Sequence, residues 1–290
     1  GDILLEASGD IAIGVAASDS PATVQGTKIS ADGRIVLASA SGDVAVTNAS
    51  VSAGYVASTI SASTSTSTAG SSSDFQPSVL LLAGGTLSPS NTSSSTPSNT
   101  SSNTSFFGWS PNVAADKGTI TISDNSSLSS SGDMALLAKN GITLNESALS
   151  SLRVNGSASI GMLTYTGDIK LTNSSVQSDG INSSMDNGSG NNFPAVFMMA
   201  GGDLSSSTGN PTLSPDGRGS ISIQGAYQVD NTVEPKPAVS SNGDIFAIAK
   251  GDITVGDISK KTSILAANNI VFDSHRAIQI NRSNLNTDGH

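Results

Sequence analysis

Several residue types are scarce in this 290-residue chain, and each scarcity excludes a kind of chemistry. There is no cysteine, so neither a disulfide framework nor a thiolate metal site can form. Only 12% of the residues are charged, whereas about 25% of a typical domain is charged. The only histidines are His275 and His290, and the only glutamates are Glu6, Glu146 and Glu234. We therefore predict a protein that is not an enzyme, with no catalytic residue, no metal ligand and no cofactor.

Positive charge is also sparse. The net charge is -10, and no Lys or Arg occurs between Arg34 and Lys117. Nucleic acids and anionic membrane surfaces are bound by clustered cations, so we expect neither partner. No run of about 18 apolar residues is present, and membrane insertion is not expected. Because the chain opens inside a repeat, at Gly1-Asp2-Ile3 and without a signal peptide, we expect a mature piece or a fragment.

A Gly-Asp turn followed by alternating apolar residues recurs along the chain. Alternation with a period of two is typical of a half-buried strand, whereas Gly, Ser, Thr and Asn at this density disfavour helices. We expect Gly to supply a positive φ and Asp to bond to nearby backbone amides. Paired carboxylates for glycoside hydrolysis and stacked carboxylates for calcium stay open as alternatives. The turn aspartates are Asp2, Asp10, Asp43, Asp133, Asp168, Asp203, Asp244, Asp252 and Asp257.

A longer repeat contains these turns. GDILLEASGDIAIG from Gly1 is similar to GDMALLAKNGITLN from Gly132 and to GDIFAIAKGDITVG from Gly243. SVLLLAGGTLS from Ser78 is likewise similar to AVFMMAGGDLS from Ala195. We predict a single rod of copies 1-131, 132-242 and a partial 243-290. Three short strands per coil of roughly 20 to 24 residues, with coils about 4.8 Å apart, predict an all-β parallel β-helix of about 11 to 13 coils.

Two polar stretches interrupt the pattern, at about 58-73 and 88-117, and we interpret them as Ser/Thr/Asn-rich loop insertions. The second contains the chain's only aromatic cluster, Phe106, Phe107 and Trp109. These side chains either anchor the loop to the flank of the rod or form a contact loop for a partner.

Asn-x-Ser/Thr tripeptides are frequent, partly because Asn, Ser and Thr are abundant. In a secreted chain they are candidate glycan acceptors, foremost at Asn91, Asn99 and Asn103 in the second insertion. His275 and Arg276, close to Asp273, are the only cluster of mixed chemistry. We predict that this cluster is a solvated turn.

The phrases GDI-x-L-x-A-x-GDI-x-I resemble the repeat region of filamentous-haemagglutinin-type adhesins, the exoproteins of bacterial two-partner secretion. The resemblance covers most of the chain outside the insertions. That family's secretion domain carries an Asn-Pro-Asn-Gly-type motif, which is absent here, so the resemblance is to the shaft. It implies a right-handed β-helix at the bacterial cell surface, an outer-membrane secretion partner, and attachment or biofilm cohesion through a glycan or protein receptor on host cells or matrix. It carries over no catalytic residue.

Other functions are weighed against this one. A secreted polysaccharide lyase or hydrolase on a β-helix would need a compact carboxylate or basic cluster in a groove. An ice-binding face would need regular Thr-x-Thr ladders, and Thr119-Ile120-Thr121 is not repeated in register. A disordered mucin-like stalk conflicts with the strand periodicity. A pure adhesin and the delivery arm of a contact-dependent toxin share all of the features above.

Overall fold

The structure, a computed structural model, describes ten stretches of the chain: 1-15, 26-54, 77-89, 109-112, 116-152, 158-180, 194-203, 212-225, 236-259 and 261-287. Within these stretches it contains 28 β-strands and no helix. Three parallel sheets of eight strands each, named A, B and C, hold most of them.

The strands are numbered along the chain. Sheet A contains β1 (Ile3–Ala7), β4 (Ile35–Ser39), β7 (Val79–Ala83), β12 (Met134–Ala138), β15 (Ile160–Thr164), β18 (Val196–Ala200), β23 (Ile245–Ala249) and β26 (Ile270–Ser274). Sheet B contains β2 (Ile11–Gly14), β5 (Val44–Thr47), β10 (Thr119–Ser123), β13 (Gly141–Asn145), β16 (Ile169–Thr172), β21 (Ile221–Gln224), β24 (Ile253–Val255) and β27 (Ile278–Ile280). Sheet C contains β3 (Thr27–Ala31), β6 (Ala49–Ala53), β11 (Ser127–Ser130), β14 (Ala148–Ser151), β17 (Ser175–Ser178), β22 (Val239–Ser241), β25 (Thr262–Ala266) and β28 (Ser283–Thr287).

The chain visits sheets A, B and C in turn, so three successive strands make one coil and each strand pairs with its equivalent in the next coil. This is a parallel β-helix, and the predicted fold class is confirmed. The described residues form eight coils, so the prediction of 11 to 13 was wrong. One coil advances the chain by 25 residues between Asp244 and Asn269 but by 76 between Asp43 and Thr119, where an insertion intervenes. At a spacing of about 4.8 Å, the first and eighth coils lie about 34 Å apart.

The interior is filled by every second residue of each strand, as the alternation predicts. Val46, Ile122 and Leu144 of sheet B stack in successive coils and are fully buried. Sheets B and C alternate between buried and partly exposed positions, which is the pattern of a half-buried strand. The inward-facing aliphatic residues of all three sheets form one continuous core.

Sheet A departs from this pattern because both of its faces are buried in five consecutive strands. Every residue of β4, β7, β12, β15 and β18 is buried. The outward-facing side chains, among them Leu80 and Leu82, form a second hydrophobic cluster. Leu87 and Leu213, which come from the insertions, pack against it. The expectation of one solvated face is therefore wrong for sheet A, whose runs VLLLA and VFMMA are typical of strands buried on both faces.

Two short antiparallel hairpins occupy equivalent places on the coils. β8 (Thr86–Pro89) pairs with β9 (Trp109–Asn112), and β19 (Gly202–Asp203) pairs with β20 (Thr212–Leu213). Each insertion leaves the coil just after a sheet A strand, β7 or β18, and these strands lie three coils apart.

The predicted insertion 58-73 lies outside the described residues. The two insertions that carry the hairpins begin and end alike. They leave the coil at the left-handed glycines Gly84 and Gly201, with φ of +76° and +86°, and return at Gly118 and Gly219, both with φ of +150°. A Cβ on Gly118 would overlap the backbone N of Gly84, so the two ends of the insertion between Gly84 and Gly118 are in contact.

Candidate functional site

The corners between sheets carry the turn aspartates, and seven of these share one bond. In each, the carboxylate Oδ1 accepts the backbone N–H of a residue at the same corner of the next coil, at 2.6 to 3.2 Å. The expected bond to an amide of the same turn is thus replaced by a bond between coils. The pairs are Asp2–Arg34, Asp10–Asp43, Asp43–Thr119, Asp133–Ser159, Asp168–Ser220, Asp244–Asn269 and Asp252–Ala277.

The two remaining turn aspartates are placed differently. The Oδ1 of Asp257 accepts a hydrogen bond from the backbone N–H of Ser259 at 2.5 Å and another from the Ser259 hydroxyl at 2.7 Å. These two bonds form a local turn of the expected kind. Asp203 lies in β19, and its side chain is outside the described residues.

The glycines of the Gly-Asp turns serve close packing more than a positive φ. The φ angles of Gly42, Gly167 and Gly251 lie outside the left-handed region, so our expectation was wrong for these turns, whereas Gly256 has a φ of +77° as expected. A Cβ on Gly167 would overlap the carbonyl oxygen of Asn140 in the preceding coil, and one on Gly251 would lie 2.8 Å from the carbonyl oxygen of Gly219. Stacked corners approach so closely that a side chain has no room.

Asp2 is bonded by both the backbone and the side chain of Arg34. Its Oδ1 accepts the backbone N–H of Arg34 at 2.9 Å, and its Oδ2 accepts from the guanidinium Nη2 at 2.8 Å. The hydrogen bond from the Arg34 side chain, helped by the one from its backbone, lowers the pKa of Asp2 below 3.8. The carboxylate therefore stays ionised and fixes Arg34 to the first coil.

The corner between sheets B and C was missed by our sequence analysis. Here the chain enters the left-handed region in every coil, with φ between +43° and +84°. The residues are Gly14, Asn48, Asp124, Asn125, Glu146, Asn173, Gly225, Gly256 and Arg282. Asn enters this region more readily than most residues. Asn just after a strand, with Ser one or two residues later, was the available signal.

Buried hydroxyls support the same corner. Ser126, Ser174 and Thr262 are fully buried. The Oγ of Ser174 donates to the carbonyl oxygen of Thr172 at 2.9 Å, and the Oγ1 of Thr262 accepts the N–H of Gly225 at 2.9 Å. Five of the Asn-x-Ser tripeptides belong to this corner, at Asn48, Asn125, Asn145, Asn173 and Asn281. Asn48, Asn125 and Asn173 are themselves left-handed, so these three have a conformational explanation that needs no glycan.

The predicted contact and glycan residues lie mostly outside the described residues. This holds for Phe106, Phe107, Asn91, Asn99 and Asn103. Trp109 opens strand β9, and nothing is described of its side chain. Leu87 on the partner strand β8 packs on the outer face of sheet A, so this hairpin lies against the rod.

No concentrated chemistry occurs in the part of the chain that the structure describes. There, no group of three or more His, Asp or Glu is placed to hold a metal ion. Arg276 lies 3.7 Å from Asp252 of the preceding coil, and His275 is exposed. A shallow groove of about 240 Å³ on sheet C is lined by Gln177, Asp179 and other residues, and Gln177 donates to Asp179 at 3.0 Å.

Comparisons with known proteins add no family to this description. No family model, no curated protein and no solved structure matches the chain. Among the described residues there is also no helix that is long and apolar enough to cross a membrane. The class that the fold defines is therefore the parallel β-helix.

Proposed function

We propose that the protein is part of the shaft of a bacterial surface adhesin, which holds contact loops away from the cell and mediates attachment or biofilm cohesion. The observation that carries this proposal is the corner bond between successive coils, which recurs from one end of the described rod to the other. It joins the first two coils through Asp2 and Arg34 and the last two through Asp252 and Ala277, and the seven bonds span five of the seven steps between coils. Aspartates with this role are structural, and they support a rod.

Export also fits this architecture. A solenoid coil contacts only its neighbours, so folding can proceed coil by coil as a chain emerges from a secretion pore. The absence of cysteine suits such a passage, because no disulfide has to form. In this proposal the chain is exported through an outer-membrane partner and stays extracellular. The receptor is a glycan or protein on host cells or matrix.

Immunogold electron microscopy of the native producing cells tests the location. An antibody raised against this chain should label thin fibres that project from the surface. Deleting residues 1-290 in frame should then lower attachment of the cells to a surface, with the parent strain as control. Gold that is absent from cells, with compact protein free in the medium, would contradict the proposal.

The alternative function, a secreted polysaccharide lyase or hydrolase, receives less support from the geometry. In the groove on sheet C, the side chain of Asp179 is engaged by Gln177, and no catalytic base adjoins it among the lining residues. Incubation of the purified chain with polyuronates separates the two functions. New reducing ends or ultraviolet absorbance from unsaturated products would favour the enzyme.

A further inference from the structure

The corner between sheets A and B contains two equivalent pairs of basic residues. Lys117 and Lys139 adjoin Gly84, and a Cβ on Gly84 would overlap the carbonyl oxygen of Lys117 and lie 2.9 Å from the Cβ of Lys139. Lys117 lies at the returning end of an insertion, and Lys139 lies in the next coil.

The second pair is Arg218 and Lys250, which adjoin Gly201. A Cβ on Gly201 would lie 2.8 Å from the Cβ of Lys250 and 3.2 Å from the backbone N of Arg218. Arg218 precedes Gly219 as Lys117 precedes Gly118, and both glycines have a φ of +150°. We name the two pairs the dibasic corners.

The spacing of the dibasic corners follows from the internal repeat. Lys139 follows β12 and Lys250 follows β23, and these strands are three coils apart in sheet A. At about 4.8 Å per coil, the two corners lie about 14 Å apart along one edge of the rod.

The four cations form no salt bridge with another described residue. The salt bridges among the described residues use Arg34, Lys170 and Arg276, and none uses a residue of the dibasic corners. Lys117 and Arg218 are exposed. The Nζ of Lys139 lies 4.1 Å from the ring centroid of Tyr165, which keeps its charge at the corner and adds an aromatic face.

The local charge differs from that of the whole chain. Asp116 and Asp216 are exposed near the basic residues of the insertions. The turn carboxylates of this edge, Asp168 and Asp252, already accept a backbone N–H and face a cation. The edge therefore offers separate positive sites on a chain with a net charge of -10.

We propose that the dibasic corners bind a linear acidic polysaccharide with one carboxylate per sugar, a polyuronate, laid along this edge of the rod. Arg can bind a carboxylate through two parallel hydrogen bonds, and Lys supplies a point charge. An overall charge of -10 repels a densely sulfated chain, which favours sparse carboxylates as the partner. Tyr165, in the coil after Lys139 and partly exposed, offers to a sugar the ring face that Lys139 does not cover.

This proposal deepens the adhesive function by naming a receptor class, and it rests on that proposed function. Its test uses purified protein. Polyuronate binding can therefore be absent while the protein still mediates attachment, and attachment can be absent while polyuronate binding is observed.

Calorimetric titration of the whole 290-residue chain with galacturonate oligomers tests the proposal. The double variant K139Q/K250Q should weaken binding of an oligomer that spans both corners by about tenfold or more, since each corner loses a charge-assisted contact. The matched control K28Q/K261Q removes two exposed lysines outside this edge and the same net charge. It should change affinity less than about twofold. Circular dichroism must show that both variants fold like the parent.

Oligomer length supplies a second readout. An oligomer long enough to reach both corners should bind more tightly than a dimer by more than its extra contacts, because the second corner is reached intramolecularly. The single variant K250Q should remove that gain and leave dimer binding at the first corner. No binding of polyuronate, equal losses in the two double variants, or tighter binding of a sulfated heparin fragment would overturn the proposal.

Discussion

Asp133 and Ser159 lie 26 residues apart in the sequence, yet the Oδ1 of Asp133 accepts the backbone N–H of Ser159 at 2.6 Å. Both residues are almost completely buried. The bond joins two successive coils at the corner between sheets C and A. Side chains at the corners thus continue the ladder of backbone hydrogen bonds beyond the ends of the strands.

Replacing Asp133 by Ala should destabilise the protein. A buried N–H that loses its acceptor costs about 1 to 3 kcal/mol. The urea midpoint should fall, and amide hydrogen exchange at Ser159 should become faster. Asp133→Asn keeps an acceptor oxygen and should lose less. Unchanged exchange at Ser159 in Asp133→Ala would show that this bond does not hold the coils together.

A side chain at Gly167 should be far more damaging than one at Gly9. The Cβ of Gly167→Ala would overlap the carbonyl oxygen of Asn140, so the backbone must shift at a packed corner, at a cost of about 2 kcal/mol or more. Nothing lies within 4 Å of a Cβ on Gly9. Gly9→Ala should therefore be neutral or stabilising by up to about 1 kcal/mol. Thermal unfolding of both variants checks this, and equal midpoints would refute the close-packing role.

Replacing Glu146 by Gly should stabilise the corner between sheets B and C. This exposed residue has a φ of +49°, which costs a residue with a Cβ about 1 to 2 kcal/mol. Glu146→Gly relieves that strain, loses some chain entropy, and should raise the free energy of unfolding by about 0.5 to 1 kcal/mol. Glu6→Gly, in the exposed strand β1, should lower it by a similar amount. A loss of stability in both variants would argue against the left-handed conformation.

Truncating Leu82 should cost as much as truncating Leu81. Leu81 faces the interior and Leu82 faces outward, yet both are fully buried. We expect each Leu→Ala change to lower the free energy of unfolding by about 2 to 5 kcal/mol in urea titrations. If Leu82→Ala costs less than about 0.5 kcal/mol, the outer face of sheet A is open to water.

The contribution of Asp2 should depend on pH. Arg34 lowers the pKa of Asp2 below 3.8, so the folded state holds this proton less tightly than the unfolded state. The resulting stability is present above pH 3.8 and disappears as the pH falls through the lower folded value. Asp2→Asn should therefore lower the thermal midpoint at pH 7, slightly because the side chain is 50% exposed, and the difference should shrink in acid. In an Arg34→Gln background the pH-dependent part should shrink to what the backbone N–H of residue 34 still contributes.

The architecture was predictable because alternation such as Ile120-Thr121-Ile122 reports directly on which residues face a core. The positions of the turn aspartates were equally visible. Their partners were not, because Asp133 and Ser159 meet only once the coil length is known. The coil length could not be counted from the sequence because the insertions add residues to some coils. The period of the apolar residues alone does not separate insertion residues from coil residues.

The two buried faces of sheet A and the left-handed corner were also missed. Leu80 and Leu82 alternate with the interior residue Leu81 in one unbroken apolar run, VLLLA, and we treated that run as a repeat marker. Asn48 and Asn173 fit the Asn-x-Ser pattern of glycan acceptors, and that pattern does not indicate their backbone conformation. The readiness of Asn to adopt the left-handed conformation explains these residues without a modification.

The contact between Gly84 and Gly118 makes the geometry of the coils independent of the length of the insertion between these two glycines. A loop whose ends already meet can be lengthened at a small entropic cost, about 0.6 kcal/mol for each doubling. Selection can therefore enlarge or exchange the insertions of this rod while its coils stay the same. A foreign peptide inserted between Pro89 and Trp109 would be displayed on the flank of the rod, and the coils would keep their structure.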